Sequence, residues 1–233
     1  MKFFASTLIA FAVALVLPGG QASASTSLQR GSETHWAHPS KLAPIRISPT
    51  QGSRQVTFTR FRTEDGYPEV YIALRKWTDR HGQTWIRVRI PMRPNGRIGW
   101  VRRFALGPLY QVNTKLVVNR SRGAAALYRH GRRIWKAPVG TGKQNTPTPP
   151  GTFWVREKFA TRDAQGPYGP VAFGTSDYSV LTDWPGGGVI GIHGTDQPGL
   201  IPGRPSHGCI RVRNGAIRRL YGLMPVGTPI LIR

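Results

Sequence analysis

Between Arg54 and Leu106, hydrophobic and polar positions alternate with a period of two. Val70, Ile72 and Leu74 alternate with Tyr71 and Ala73, and Ile86, Val88 and Ile90 alternate with Arg87 and Arg89 beyond the turn-like Asp79-Arg80-His81-Gly82. Pro94-Asn95-Gly96 reads as a tight hairpin turn into Ile98-Gly99-Trp100-Val101, because Asn-Gly takes up the positive φ values such turns need. Residues 51–106 are therefore predicted to form a small β-barrel of short strands. A second β-rich block is predicted from Gly107 to Arg233. Its strand candidates Leu116 to Val118, Ala124 to Tyr128 and Ile134 to Val139 are separated by Ser121-Arg122-Gly123 and His130-Gly131-Arg132. Pro147-Thr148-Pro149-Pro150-Gly151 has to be loop, since proline cannot donate to a central ladder. One helix is predicted after Asn214 as N-cap, with Ile217, Leu220 and Tyr221 on one face. Pro225 and Gly227 end it before a closing strand at Pro229-Ile230-Leu231-Ile232. Residues 25–50 show no hydrophobic period and are predicted to be a flexible polar linker, with His35 and His38 as exposed linker histidines.

Composition narrows the class. Gly 28 and Pro 20 in 233 residues are too many breakers for a long bundle or coiled coil. One cysteine rules out an intrachain disulfide and a Cys-rich zinc module. Lys+Arg 33 against Asp+Glu 10 gives a net charge of +23, a field that favours polyanions. The first residues choose among them. Met1-Lys2, an apolar run from Phe3 to Leu17, the break Pro18-Gly19-Gly20 and the small-x-small Ala22-Ser23-Ala24 form a signal-peptide pattern over residues 1–24, with an uncleaved anchor as the alternative. Export to the periplasm or cell wall makes anionic cell-envelope polymers the expected partners rather than nucleic acid.

Two glycine patterns are decoys. Gly186, Gly188 and Gly191 fit G-x-G-x-x-G, but Trp184-Pro185 precedes them and a β-like run follows, the reverse of the strand-then-helix context a dinucleotide site needs. Gly140-Thr141-Gly142-Lys143 lacks the first glycine and the Ser/Thr of a phosphate loop.

The chemistry-bearing stretch runs from Ile192-His193-Gly194-Thr195 to Ser206-His207-Gly208-Cys209-Ile210-Arg211. The sole cysteine follows a glycine and has His207, Arg211 and Arg213 nearby, cations of the kind that lower a thiol pKa. His193 is expected to meet it across a hairpin whose loop holds Pro198, Gly199, Pro202, Gly203 and Pro205. A cysteine within reach of a histidine is a minimal activated nucleophile. A zinc hydrolase built on His193, His207 and Cys209 has suitable ligand types but no carboxylate in a recognisable base role. A non-catalytic wall-binding protein is the alternative from a different class.

His193-Gly194-Thr195 followed by Ser206-His207-Gly208-Cys209 resembles the signature of the L,D-transpeptidase (YkuD-type) catalytic domain. Pro147-Thr148-Pro149-Pro150-Gly151-Thr152-Phe153, Ile190-Gly191-Ile192-His193 and Thr228-Pro229-Ile230 resemble further blocks of that family, over about Leu109 to Arg233. The run from Trp85 through Asn95-Gly96 to Val101 resembles a bacterial SH3-like domain. The resemblance implies a mainly β protein: an SH3-like β-barrel, then an L,D-transpeptidase-type β-sandwich with one short C-terminal helix. It implies an enzyme forming 3→3 peptidoglycan cross-links between stem peptides, with no cofactor and no metal, and inhibited by carbapenems. Water or a protein amine stays open as the acyl acceptor. Cys209 is the expected nucleophile, His193 the base and the Gly194 carbonyl its orienting partner. Backbone N–H groups of Gly208 and Cys209, with His207, are the expected oxyanion donors, and Ser206 shapes the loop. Arg211, Thr195, Tyr168, Gly169 and Trp184 are the candidate substrate-binding residues.

Overall fold

The computed structural model describes residues 24–183 and 185–233. Residues 1–23 of the signal segment and Trp184 lie outside the described residues. The chain is mainly β, as expected, with one α-helix among the described residues.

The N-terminal half contributes β1 (Ala24–Ser27), β2 (Gln29–Arg30), β3 (Glu33–Ala37), β4 (Pro44–Arg46), β5 (Gln55–Phe58), β6 (Tyr71–Thr78), β7 (Thr84–Arg89), β8 (Ile98–Arg102) and β9 (Tyr110–Val112). They form one sheet in the order β2-β3-β6-β7-β8-β4-β5, with β1 on β6 and β9 on β3. The meander β6-β7-β8 follows the alternation: Ile72 pairs with Arg89, Trp77 with Trp85, and Arg89 with Ile98. Both faces of β6 are apolar for a reason. Tyr71 and Ala73 enter the core of this half, whereas Val70 and Ile72 pack against Trp154 of the other half.

Two sequence expectations need correction here. Residues 25–50 are no flexible linker: they carry β1 to β4, and Ala37 and Ile45 are wholly buried. Short, polar, two-to-five-residue strands leave no period to read. His35 and His38 are likewise tied down, each by Nδ1 to a backbone carbonyl, of Leu28 at 2.6 Å and Glu69 at 2.7 Å. The boundary also shifts. β9 pairs with β3 (Trp36 with Tyr110, Thr34 with Val112), so the first sheet runs past Leu106 to Val112.

The C-terminal half holds β10 (Thr114–Asn119), β11 (Ala124–Arg129), β12 (Arg132–Gly142), β13 (Gly151–Ala160), β14 (Val171–Tyr178), β15 (Val189–His193), β16 (Gly203–Ser206), β17 (Ile210–Val212), α1 (Asn214–Leu223) and β18 (Pro229–Ile232). The order is β11-β10-β18-β13-β14-β15-β17-β12-β16, and an added β11–β12 pairing closes the sheet into a barrel-like ring. Leu116, Val118, Phe153, Phe173, Ile192 and Ile210 fill it, and Ile217 and Leu220 of α1 cover it. The helix begins one residue off the expected cap: Arg213 is the N-cap and makes no side-chain capping bond.

The halves are joined through buried groups. Arg156 grips Glu69 with Nε to Oε1 at 2.7 Å and Nη2 to Oε2 at 2.6 Å, both residues nearly inaccessible. Trp154 Nε1 donates to the Val70 carbonyl at 2.9 Å. A buried charge left without its partner is costly, so this seam is specified as a unit.

Candidate active site

His193 ends β15 and Cys209 immediately precedes β17, but the two strands do not form a hairpin. β15 and β17 run parallel, with Ile192 opposite Ile210 and His193 opposite Arg211, so the Pro/Gly-rich connection is a crossover. That register sets Gly191 beside Cys209, and the Gly191 N–H points at Sγ at 3.4 Å. A Cβ placed on Gly191 would stand 3.6 Å from His193 Cδ2 and 3.8 Å from Cys209 Sγ. Ring and sulfur thus flank one point. Both open on a cleft of about 250 Å³ that is also lined by Tyr168, Ser179, Val189, Ile190, His207 and Arg211.

The histidine is pinned. Its Nδ1 lies 2.7 Å from the Gly194 carbonyl, an acceptor only, so Nδ1 carries the proton and Nε2 keeps the lone pair. Tyr168 meets the ring edge-on with centroids 4.9 Å apart. Gly194 is required by packing: a Cβ there would stand 2.8 Å from Gly169 Cα and collide with Asn214 Oδ1.

Burial dominates the electrostatics. It pushes the His193 imidazole down to about 4, with Arg211 acting in the same direction against the Gly194 bond. It pushes the Cys209 thiol up, outweighing the Gly191 N–H and Arg211. The expectation that nearby cations lower the thiol pKa is therefore corrected in its net sign. Arg213 takes no part in it; its guanidinium holds the carbonyls of Pro198 and Ile201. At neutral pH the resting pair is thiol and neutral imidazole.

The loop before Cys209 is built from backbone contacts. Ser206 Oγ accepts from Gly208 N–H at 3.1 Å and donates to the Cys209 carbonyl at 2.6 Å. Thr148 Oγ1, of the Pro-rich block, donates to the Gly208 carbonyl at 2.6 Å and accepts from Gly142 N–H. Gly208 has φ +128°, where a side chain is strained, and a Cβ would stand 2.5 Å from Ile190 Cδ1. The Gly208 N–H is thus already engaged by Ser206 Oγ.

Two substrate-binding expectations change as well. Thr195 is buried away from the cleft, its N–H bound to Asn214 Oδ1 at 2.8 Å and its Oγ1 to Gln197 N–H. Gly169 is a packing glycine against Gly194 and does not line the cleft. Tyr168 and Arg211 do line it; Arg211 Nη1 donates to Gln197 Oε1 at 3.1 Å. Sequence reading missed Ser179, Val189 and Ile190 in the cleft wall, and Thr148 behind the loop. Thr148 carried a signal inside the Pro-rich block and Ile190 one inside the Ile190-Gly191-Ile192-His193 block. Among the described residues no group of three or more His, Cys, Asp and Glu side chains could hold a metal ion.

A thiol and an imidazole flanking one cleft is an arrangement that a cysteine nucleophile would use. The family model of the L,D-transpeptidase catalytic domain, YkuD, matches residues 113–232. A Bacillus subtilis protein named as a putative L,D-transpeptidase, YqjB, is 31% identical over 50% of this chain and 69% of its own length. A second from B. subtilis, YkuD, is 28% identical over 53% of this chain and 68% of its own. Among solved structures, an Enterococcus faecium L,D-transpeptidase is 27% identical with a TM-score of 0.42, covering 52% of this chain and 49% of that one. The chain belongs to the L,D-transpeptidase family; the shared span is its C-terminal half.

Proposed function

We propose that this protein is an exported enzyme that forms 3→3 cross-links in peptidoglycan through a thioester on Cys209. The observation that carries the reading is the His193 imidazole, held through Nδ1 by the Gly194 carbonyl and flanking Gly191 together with the Cys209 sulfur in one cleft. Because the resting pair is neutral, the thiol proton passes to His193 as sulfur attacks. The attacked carbonyl joins the third residue of a stem tetrapeptide to its terminal D-Ala. The Cys209 N–H is the donor for the resulting oxyanion, since Ser206 occupies that of Gly208. The C–N bond breaks, the D-Ala nitrogen takes the proton from His193, and a thioester remains. The side-chain amine of a second stem, deprotonated by His193, then attacks; the thiolate leaves and recovers the proton.

Arg211 at the cleft edge suits a stem carboxylate. The N-terminal sheet, with its β6-β7-β8 meander, is read as the SH3-like module. The +23 charge supports retention on anionic wall polymers, weakened by salt. Incubation with a defined tetrapeptide and an acceptor stem, followed by mass analysis, tests the reading. The expected products are free D-Ala, an acyl-enzyme on Cys209 and a cross-linked dimer, all lost in Cys209→Ser. Release of D-Ala without the dimer would make water the acceptor.

A further inference from the structure

One wall of the Cys209 cleft is held from the other half of the molecule. After β14 the chain turns through Ser179 and Leu181 and returns through Pro185–Gly188, whose three glycines have positive φ, into β15. The neck of this excursion closes with Ser179 N–H to the Gly188 carbonyl at 2.8 Å. Ser179, Gly188, Val189 and Ile190 all face the cleft, and Ser179 Oγ lies 3.5 Å from the His207 carbonyl. The stretch leading into that wall, residues 177–181, is gripped by two side chains of the β7–β8 turn.

Asn95 Nδ2 donates to Asp177 Oδ1 at 2.8 Å and to the Tyr178 carbonyl at 3.0 Å, and Asn95 Oδ1 accepts from Tyr178 N–H at 3.1 Å. Arg93 Nη2 donates to the carbonyls of Ser179 at 3.1 Å and Leu181 at 3.0 Å, with its guanidinium 4.8 Å from the Tyr178 ring centre. The same guanidinium packs on the neck: a Cβ on Gly188 would stand 2.6 Å from Arg93 Nη2. Asn95 thus uses both ends of its amide on one peptide unit and its neighbour, which fixes position and direction together. Arg93 donates twice from Nη2 and lays a planar guanidinium over the Tyr178 ring, a combination that lysine does not reproduce in full. Neither side chain lines the cleft.

We infer that Arg93 and Asn95 are positioning residues for the active site, by which the N-terminal half sets the wall made by Ser179, Gly188, Val189 and Ile190 and so the width of the cleft that takes the acyl donor. The inference rests on the proposed chemistry of Cys209 for its substrate arm only. A small reagent reaches sulfur whatever the wall does, whereas a peptide needs the wall to align its carbonyl; a displacement of about 1 Å can cost up to about a hundredfold.

The experiment compares Asn95→Ala, Arg93→Ala and Arg93→Lys with the wild-type chain. The tetrapeptide kcat/KM is expected to fall at least about tenfold in the two alanine variants, with partial recovery in Arg93→Lys. Iodoacetamide alkylation of Cys209 should keep its rate and pH profile. A bulky maleimide should gain on iodoacetamide by about threefold or more as the wall loosens. Amide exchange should quicken over residues 177–190 and not in β13 or β18, which separates loosening of the wall from unfolding. Unchanged maleimide-to-iodoacetamide ratios with quickened exchange would overturn the inference, as would equal losses toward peptide and iodoacetamide. Should the wild-type chain leave the tetrapeptide intact, the proposed function fails while the two thiol reagents still decide the role of the wall.

Discussion

The pH dependence of Cys209 alkylation tests the site's electrostatics most directly. Burial raises the thiol above its ordinary 9.0 although the Gly191 N–H and Arg211 favour the thiolate. Burial also holds the imidazole near 4, with Arg211 pushing the same way. Between those limits both groups are neutral, and at pH 7 less than about 1% of the thiol is ionised. Iodoacetamide reacts with thiolate, so the rate should climb about tenfold per pH unit from 6 to 8 without a plateau. Arg211→Met keeps an apolar stem and removes the charge. The thiol then moves further up, so the rate at pH 7.5 should drop. For a half-buried, solvent-screened cation worth about 0.5–1 kcal/mol, the drop is about two- to fivefold. Mass spectrometry under pseudo-first-order conditions reads the rate cleanly, because this is the chain's single cysteine. An inflection near pH 6 with a plateau above it would indicate a preformed thiolate–imidazolium pair and refute the reasoning. A faster Arg211→Met variant would do the same.

Gly208→Ala should destabilise the fold by about 2–4 kcal/mol, from positive-φ strain and the 2.5 Å approach to Ile190 Cδ1. Ile190→Val in the same chain should recover part of that in urea denaturation, and full additivity of the two changes would exclude the clash. Asp177 is fully buried, and burial lifts its carboxyl to about 8 against the Asn95 bond. It is protonated in the fold where the unfolded chain has it ionised, so its contribution to stability falls as pH rises from about 4 to about 8. Asp177→Asn should therefore gain on the wild type by roughly 2–3 kcal/mol between pH 5 and 7.5; a pH-independent difference would count against it. A carbapenem should add once per chain, mapped to Cys209, and His193→Ala should slow that acylation by about 10²–10⁴-fold, with added chelator having no effect. An adduct on another residue would remove Cys209 from its role.

What the sequence revealed depended on how many faces a segment buries. Leu116-Val117-Val118 in β10 and Ile230-Leu231-Ile232 in β18 show as short apolar runs, and Leu116, Val118, Ile230 and Ile232 of them enter a single core. The helix showed itself through Ile217 and Leu220. β1 to β5 were harder because such short strands carry few side chains, and their apolar residues are scattered singly, as at Ala37 and Ile45. The Asn214 signal was real but belonged elsewhere: its carbonyl oxygen binds Thr195 N–H and leaves the helix cap to Arg213. Asn95 was legible only as a turn residue. Its partners at Asp177 and Tyr178 are more than eighty positions away, and nothing local encodes them.

The letters around Cys209 could be read because each answers to a different neighbour within a few ångströms. Gly194 admits Gly169 and the Asn214 side chain, and so frees its carbonyl to fix the His193 tautomer. Ser206 ties Gly208 N–H to the Cys209 carbonyl, Gly208 supplies the positive φ that makes the tie reachable, and Thr148 holds the Gly208 carbonyl from behind. None of these contacts brings charge to the sulfur. Apart from Arg211, the cysteine is set by backbone geometry in a site whose burial suppresses both ions of a thiolate–imidazolium pair. Such a site gains little by holding the ions in waiting. In the proposed chemistry the His193 tautomer is fixed in advance by Gly194, the proton stays on sulfur until attack, and the Cys209 N–H is the donor assigned to the developing charge. Reactivity is then tied to arrival of a carbonyl in the cleft, and the half of the chain that sets the cleft wall gains a direct influence on the chemistry.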